Sequence, residues 1–270
     1  MQKLLLVLVC MFIVASCTAP KEAAPPAPVS SQTAPIAAPE NKPLRDSLTV
    51  LSINTLHALK DDASVKRFAS WIKTLGPDVV AVQQIERPQE GKKDFDAVRA
   101  LALALDMRPF FGMARYYKGF DSGNAVFSIY PIRQSTVESL PTAKGRVRRS
   151  LAYAVVDAGL QSIGFASTEL DDQSASERAA QVRRLAGLAP EFSDFPFVVC
   201  GDFYEKPSGA ALASLRGAFA GASGVSGAPQ TLTQQLYSAS RLVTPAAAKK
   251  VFNSDIHSDA LLVMLRVVSQ

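Results

Sequence analysis

The feature that most constrains the fold is a series of short apolar segments, interleaved with helical patterns, between residues 48 and 268. Segments 78–85 and 195–201 are rich in Val and Phe and have the length of buried strands. Elsewhere along the chain, apolar residues recur at helical spacing, and Gly76-Pro77 ends the first such pattern, just before segment 78–85. The predicted strands are 48–54, 78–85, 109–117, 124–130, 151–157, 163–167, 195–201 and 261–268, and the predicted helices are 62–75, 94–105, 174–188 and 210–215.

The predicted strands come in pairs between helices instead of alternating strictly with them. This order predicts an α/β (α+β) fold of four layers, in which two mixed β-sheets pack face to face with helices outside. Residues 46–270 have the length of one domain of the larger α/β kind. The apolar fraction of the chain, 48%, is sufficient for a core of that size.

The N-terminus has the pattern of an export signal. Lys3 precedes an uncharged apolar run over 4–15, which is too short to cross a bilayer. The run ends in Val14-Ala15-Ser16-Cys17, which resembles the lipobox of bacterial lipoproteins, so residues 1–17 are predicted to be a lipoprotein signal with acylation at Cys17. An ordinary cleaved signal with an incidental cysteine is the alternative.

Residues 18–45 are rich in Pro, Ala, Ser and Thr and contain no aromatic residue. Such a segment cannot bury enough apolar surface to fold, so we predict a disordered tether between the anchor and a domain at 46–270. The predicted location is therefore the bacterial cell envelope, with the lipid bilayer as a partner through acylated Cys17. Thr18 resembles the residue that follows the anchor in outer-membrane lipoproteins, which favours that membrane.

Cysteine usage argues against a disulfide-stabilised domain, and the net charge leaves an anionic partner open. Cys200 is the one cysteine in the predicted domain, so no disulfide framework is expected there, and its apolar neighbours predict an inert buried thiol. The formal net charge of +5 permits an anionic partner without requiring one.

Polar residues at the ends of the predicted strands form a series of short motifs. In chain order they are Ile53-Asn54, Val82-Gln83-Gln84, Gly123-Asn124, Ser167-Thr168-Glu169-Leu170, Gly201-Asp202-Phe203-Tyr204 and Ser258-Asp259-Ala260. The series resembles the endonuclease/exonuclease/phosphatase superfamily over residues 47–268. The resemblance implies the same four-layer sandwich, with a Mg²⁺-dependent site for phosphoester hydrolysis where the strand ends converge.

Matched to that family's motifs residue by residue, the chain keeps Asn54 and Asp202 and departs from them elsewhere. The family's metal-binding Glu falls on Gln84, and the His of its Thr-His-Leu motif falls on Glu169. The Asn of its Gly-Asp-Phe-Asn motif falls on Tyr204, which is bulky enough to fill the place of the attacking water. The final Ser-Asp-His motif retains Asp259 and has Ala260 in place of its His. The Asp expected near Leu232-Thr233 is missing as well.

Other residues offer replacements for the lost groups. Glu86 shares a strand face with Gln84, so Gln84, Glu86 and Asn54 are the candidate metal ligands. His257 would supply the lost imidazole if the final motif were Ser254-Asp255-Ile256-His257, but the other register places the last strand better. The predicted catalytic positions are Asn54, Asp202, Asp259, Glu169 and Tyr204.

Two further sequence features admit two interpretations each. Lys144, Arg146, Arg148 and Arg149 form a basic cluster, for which a solvated hairpin is favoured over a phosphate contact. Tyr116 and Tyr117 stand where the family places an aromatic residue near its site, and either site-facing or ordinary strand packing fits them.

These replacements lead to two functional hypotheses. The favoured one is a non-catalytic or weakly active domain that binds a phosphate-containing ligand, with Mg²⁺ affinity weak or lost. The alternative is a divergent Mg²⁺-dependent phosphodiesterase, nuclease or phosphatase that uses Asn54, Glu86, Glu169, Asp202 and Asp259. Nucleic acid is the less favoured ligand, because the loop between Pro207 and Thr231 is short and consists mostly of Gly, Ala and Ser.

Overall fold

A computed structural model describes residues 46–159 and 161–268. The predictions for the signal, Cys17 and the tether lie outside these residues. The strands are β1 (Ser47–Asn54), β2 (Val79–Pro88), β3 (Arg108–Tyr117), β4 (Phe120–Ser128), β5 (Ile132–Ser139), β6 (Ser150–Asp157), β7 (Ser162–Glu169), β8 (Phe197–Asp202), β9 (Ala220–Gly221), β10 (Gln234–Ser238), β11 (Val243–Asn253) and β12 (Ser258–Val267). The α-helices are α1 (Asp62–Leu75), α2 (Ala97–Leu105), α3 (Ala175–Glu191) and α4 (Ala213–Ala218).

The strands form two mixed six-stranded sheets. The first has the order β11-β12-β1-β2-β4-β3, and the second has the order β5-β6-β7-β8-β10-β9. Each sheet contains one parallel pair near its centre, β1 with β2 and β7 with β8, while the other pairs are antiparallel. Of the helices in the described part of the chain, none combines the length and the apolar character needed to cross a bilayer.

Three apolar clusters separate four layers and confirm the predicted sandwich. One cluster joins α1 and α2 to the outer face of the first sheet, for example through Phe68 and Leu101. The second lies between the sheets and includes Cys200, which is a free buried thiol whose pKa burial raises to about 12. The third joins α3 and α4 to the second sheet around Val182 and Leu215.

The helix boundaries follow from their capping residues. Asp61 accepts a hydrogen bond from the Ser64 backbone N–H and completes a capping box, so α1 begins where the sequence predicts. The second helix begins at Ala97 and not at residue 94, because Asp96 is its N-cap and accepts from the Arg99 N–H.

The sequence analysis missed four strands, namely β5, the two-residue β9, β10 and β11. β5 is an edge strand whose side chains are mostly exposed, so it shows little of the hydrophobicity that marks the other strands. β10 begins with two buried glutamines, Gln234 and Gln235, which resemble loop residues. β11 contains Pro245 and three alanines, and these residue types are depleted in strands.

Candidate functional site

Three polar side chains of the candidate site project from the carboxyl ends of the central parallel strands. Asn54 ends β1, Glu169 ends β7 and Asp202 ends β8. The register pairs Glu169 directly with Asp202, and it pairs Asn54 with Gln83. Because the two sheets face each other, these residues meet between them at one end of the sandwich.

A β-bulge in β2 turns two consecutive glutamines toward the opposite sheet. The register with β4 shifts between Val82 and Ile85, and Gln84 has a positive φ of 53°. The Gln83 amide donates to the Ser167 hydroxyl at 3.1 Å, while the Gln84 amide donates to the Glu169 carboxylate. A regular strand would have directed these neighbouring side chains to opposite faces.

Glu169 lies at the centre of a closed hydrogen-bonded group. Its carboxylate accepts from the Gln84 amide, accepts from the Tyr204 hydroxyl at 2.9 Å and forms an ion pair with Arg149. Arg149 also pairs with Asp172 at 3.0 Å, and its side chain is only 3% exposed. We call Asn54, Gln84, Arg149, Glu169, Asp202 and Tyr204 the strand-end cluster.

Asp202 completes the strand-end cluster from the β8 side. It accepts from the Asn54 side-chain amide at 3.2 Å and from the Tyr204 backbone N–H at 3.2 Å. Burial raises the pKa of the Asp202 carboxyl, and the Glu169 charge raises it further. Burial beside the same two carboxylates also raises the pKa of the Tyr204 phenol, so Tyr204 acts as a neutral hydrogen-bond donor.

The basic segment at 144–149 is not a uniformly solvated hairpin. Arg149 is buried in the strand-end cluster and Arg146 forms an ion pair with Asp171, whereas Lys144 and Arg148 are exposed. The favoured interpretation was therefore wrong for two of the four residues, because carboxylates at the end of β7 and just beyond it draw these guanidinium groups inward.

Glu86 belongs to a second group of side chains, beside the strand-end cluster. It forms an ion pair with Lys60, and His57 Nδ1 lies 3.0 Å from its carboxylate. The His57 ring stacks on Tyr117 with the centroids 4.5 Å apart, and the Arg115 guanidinium lies 3.4 Å from His57 Nε2. Burial lowers the pKa of His57 more than Glu86 raises it. Glu86 is thus held by Lys60 and His57, away from the strand-end cluster.

The last strand holds the remaining candidates apart from the strand-end cluster. Asp259 pairs with Lys250 at 2.7 Å and is 39% exposed. Ala260 is buried in the apolar cluster beneath α1. His257 is an exposed residue in the turn between β11 and β12, and Ser258-Asp259-Ala260 begins β12, as in the preferred register.

Comparison with known proteins identifies the family of this chain. The model of the Endonuclease/Exonuclease/phosphatase family matches residues 51–242, which is most of the chain. This chain belongs to the endonuclease/exonuclease/phosphatase family. A comparison with curated protein sequences finds no match.

Solved structures of the endonuclease/exonuclease/phosphatase family share its fold. A family protein from Beutenbergia cavernae is 20% identical and superposes with a TM-score of 0.67, covering 83% of this chain and 72% of that one. A family protein from Leptotrichia buccalis is 16% identical with a TM-score of 0.65, covering 82% and 99%. The catalytic domain of human Nocturnin, solved with a bound sulfate anion, is 16% identical with a TM-score of 0.64, covering 82% and 94%.

Members of the endonuclease/exonuclease/phosphatase family typically depend on a divalent metal, but the residues present here do not fit one. Across the described residues, no three His, Cys, Asp or Glu side chains are placed to share an ion. Gln84 turns its amide nitrogen, a donor, toward Glu169, and the Glu169 carboxylate is neutralised by Arg149. Glu86 is likewise neutralised by Lys60. Protein cations therefore compensate the charges that would attract Mg²⁺.

Sequence reasoning missed several residues that shape this family site. Arg149 was noted only as part of a basic segment, and Lys60 and Arg115 were not considered. The signal for Arg149 was its position immediately before the buried β6 run, where a charged residue requires a partner. The structure brings together Asn54, Gln84, Glu169, Asp202 and Tyr204, but it holds Glu86 and Asp259 in separate ion pairs.

Proposed function

We propose that this chain is a non-catalytic or weakly active member of its family that binds a phosphate-containing ligand at the envelope surface. The observation that carries the proposal is the ion pair of Glu169 with buried Arg149, at the position that matches the family's His. A carboxylate there opposes a phosphate instead of attracting it. Arg149 offsets that charge and is itself occupied by doing so.

Hydrolysis of a phosphoester needs two things that this geometry supplies poorly. Donors or cations must be free to stabilise the negative charge that develops on the phosphoryl oxygens. A water must also be positioned in line with the leaving oxygen. The Tyr204 hydroxyl lies 2.9 Å from Glu169 and 3.4 Å from the Asn54 amide, so the phenol occupies the space between those two polar groups.

The alternative, a divergent hydrolase, rests on the two family residues that the chain retains. Asn54 and Asp202 still form the hydrogen bond that joins the two sheets at their ends. A divergent phosphodiesterase or phosphatase would have to free Glu169 from Arg149 before it could use this pair. That rearrangement would remove one partner of a buried ion pair, which typically costs several kcal/mol.

The test compares the full chain in neutral detergent with its Asp202→Ala variant. Hydrolysis of a generic phosphodiester and of plasmid DNA is followed with Mg²⁺ or Mn²⁺ present. Asp157→Ala is the matched control, because it removes an aspartate that pairs with Arg133 far from the strand-end cluster.

We expect all three proteins to give the same background rate. Turnover by the parent and by Asp157→Ala that disappears in Asp202→Ala would contradict the proposal and establish the divergent hydrolase. The location is part of the proposal and rests on the sequence of residues 1–45, which predicts an acylated Cys17 and an extended tether.

A further inference from the structure

A second group of charged side chains lies beside the strand-end cluster and has more cations than carboxylates. It is a set contributed by the segment after β1, by β2 and by the β3–β4 hairpin, which we call the rim cluster. Its members are His57, Lys60, Glu86, Arg115, Tyr117 and Lys118.

The rim cluster is organised around one aromatic ring. His57 stacks on Tyr117 with an interplanar angle of 19°. The Arg115 guanidinium lies 5.4 Å from the centroid of the Tyr117 ring, and the Lys118 ammonium lies 5.1 Å from it. Cations at these distances are attracted by the ring quadrupole, so two positive side chains each lie against Tyr117.

The charges of the rim cluster do not cancel. Lys60, Arg115 and Lys118 are cations and Glu86 is the single carboxylate among its members, which leaves two positive charges with His57 neutral. Lys60 is the cation that pairs with Glu86. Neither Arg115 nor Lys118 forms an ion pair with any carboxylate in the described parts of the chain.

Two acidic residues outside the rim cluster, Glu169 and Asp121, do not neutralise its positive charge. Glu169 is close enough to influence the pKa of His57, but it is paired with Arg149. Asp121, on the neighbouring strand β4, pairs with Arg87 at 3.6 Å. The surplus positive charge therefore lies beside the closed strand-end cluster, on partly exposed side chains that a ligand can reach.

We propose that Arg115 and Lys118 of the rim cluster bind the phosphate group of an anionic ligand. Both cations lie against the same aromatic ring and neither is paired with a carboxylate of the described residues, and the charge-assisted hydrogen bonds that a guanidinium or an ammonium donates to phosphate are strong. His57 does not serve as a base there, because its two nitrogens face Glu86 and Arg115. The inference rests on the proposed function and assigns the residues that would perform it.

Both a soluble phosphate ester and the headgroup of an anionic lipid carry a phosphate group that these residues would bind. We would use two probes, inorganic phosphate and glycerophosphoglycerol, the headgroup diester of phosphatidylglycerol. The protein is the full chain in neutral detergent, and ³¹P NMR follows both probes. Shift and line width report binding, and any new resonance reports hydrolysis.

The variant that tests the site is Arg115→Gln combined with Lys118→Gln. The matched control is Lys66→Gln combined with Lys73→Gln, which removes two positive charges from exposed positions of α1. We expect the rim variant to lose about tenfold or more in affinity, as for the loss of a charge-assisted hydrogen bond, and the control to stay close to the parent. Equal melting temperatures would show that all three proteins are folded.

The outcomes separate the two proposals. Tighter binding of glycerophosphoglycerol identifies a lipid headgroup as the source of the phosphate, and tighter binding of inorganic phosphate identifies a soluble one. Undiminished binding by the rim variant, or an equal loss in both double variants, would overturn the rim site and leave the proposed function standing. Hydrolysis of the diester would contradict the proposed function alone, and binding of neither probe by the parent would contradict both.

Discussion

At the scale of single residues, Arg149 holds the strand-end cluster together. Its side chain is almost entirely buried, and it pairs with both Glu169 and Asp172. The pair adds little net stability, because the desolvation of both charges offsets their attraction. Removing one partner has a different consequence, since it leaves the other charge buried without compensation.

We therefore predict that Arg149→Ala lowers the free energy of unfolding by about 3 kcal/mol. Adding Glu169→Gln to that variant removes the uncompensated charge and should restore part of the loss. Urea denaturation measures both. Arg148→Ala changes an exposed neighbour and is the control. A loss as small for Arg149→Ala as for Arg148→Ala would show that the ion pair is not buried as described.

Asp202 and Asp157 should give opposite dependences of stability on pH. Burial raises the pKa of Asp202, so its contribution is greatest at acid pH and is lost as pH rises through that raised pKa. Hydrogen bonding from Arg133 lowers the pKa of Asp157, so its contribution is present above the unfolded pKa and is lost as pH falls through the lowered one.

In urea denaturation from about pH 3 to pH 7, the deficit of Asp202→Ala relative to the parent should therefore shrink as pH rises. The deficit of Asp157→Ala should grow over the same range. If the two deficits changed in the same direction, the burial of Asp202 would not be controlling its protonation.

At the scale of elements, the close approach of β7 and β8 brings Glu169 beside Asp202. Gly201 precedes Asp202, and a Cβ at that position would lie 1.8 Å from the Thr168 carbonyl oxygen. No side chain can be accommodated there without separating the two strands. The β-bulge in β2 is the second local feature that shapes the site, because it turns the Gln84 side chain toward Glu169.

Gly201→Ala should destabilise the protein by about 2 kcal/mol, since overpacking forces the backbone to move. Gly187→Ala is the matched control. It lies in α3 with nothing near its added methyl, and it should stabilise the helix by about 0.5–1 kcal/mol. Thermal or urea unfolding distinguishes the two, and a neutral Gly201→Ala would contradict the tight β7–β8 packing.

At the scale of the whole molecule, the proposed arrangement is a folded domain connected to a lipid anchor. More than one acyl chain is needed for stable attachment to a bilayer, as the lipobox resemblance implies for Cys17. The mild positive charge of the chain is compatible with a surface of anionic lipids.

Labelling of cells with a radioactive fatty acid should mark the parent protein and should fail to mark Cys17→Ser. Cys200→Ser should retain the label, because Cys200 is buried and its thiol is unreactive. An unlabelled parent found in the soluble fraction would instead support an ordinary cleaved signal.

The sequence by itself determined the layers of this protein and the succession of its central strands along the chain. Apolar periodicity identified α1, β2 and β8, and the motifs ending in Asn54 and Asp202 indicated the family that the comparisons then established. The edge strand β5 and the polar strand β10 were missed, because a mostly exposed strand and a strand that begins with buried glutamines show no hydrophobic pattern.

Only the tertiary structure decided what the candidate site contains. Sequence spacing places Glu86 on the same strand face as Gln84, but Lys60 and His57 hold it in a separate group. Sequence spacing also leaves Arg149 in a basic loop, whereas the fold buries it against Glu169. The reason is that a buried charge selects its partner by distance in space, and residues distant in the chain become neighbours only when the two sheets have packed.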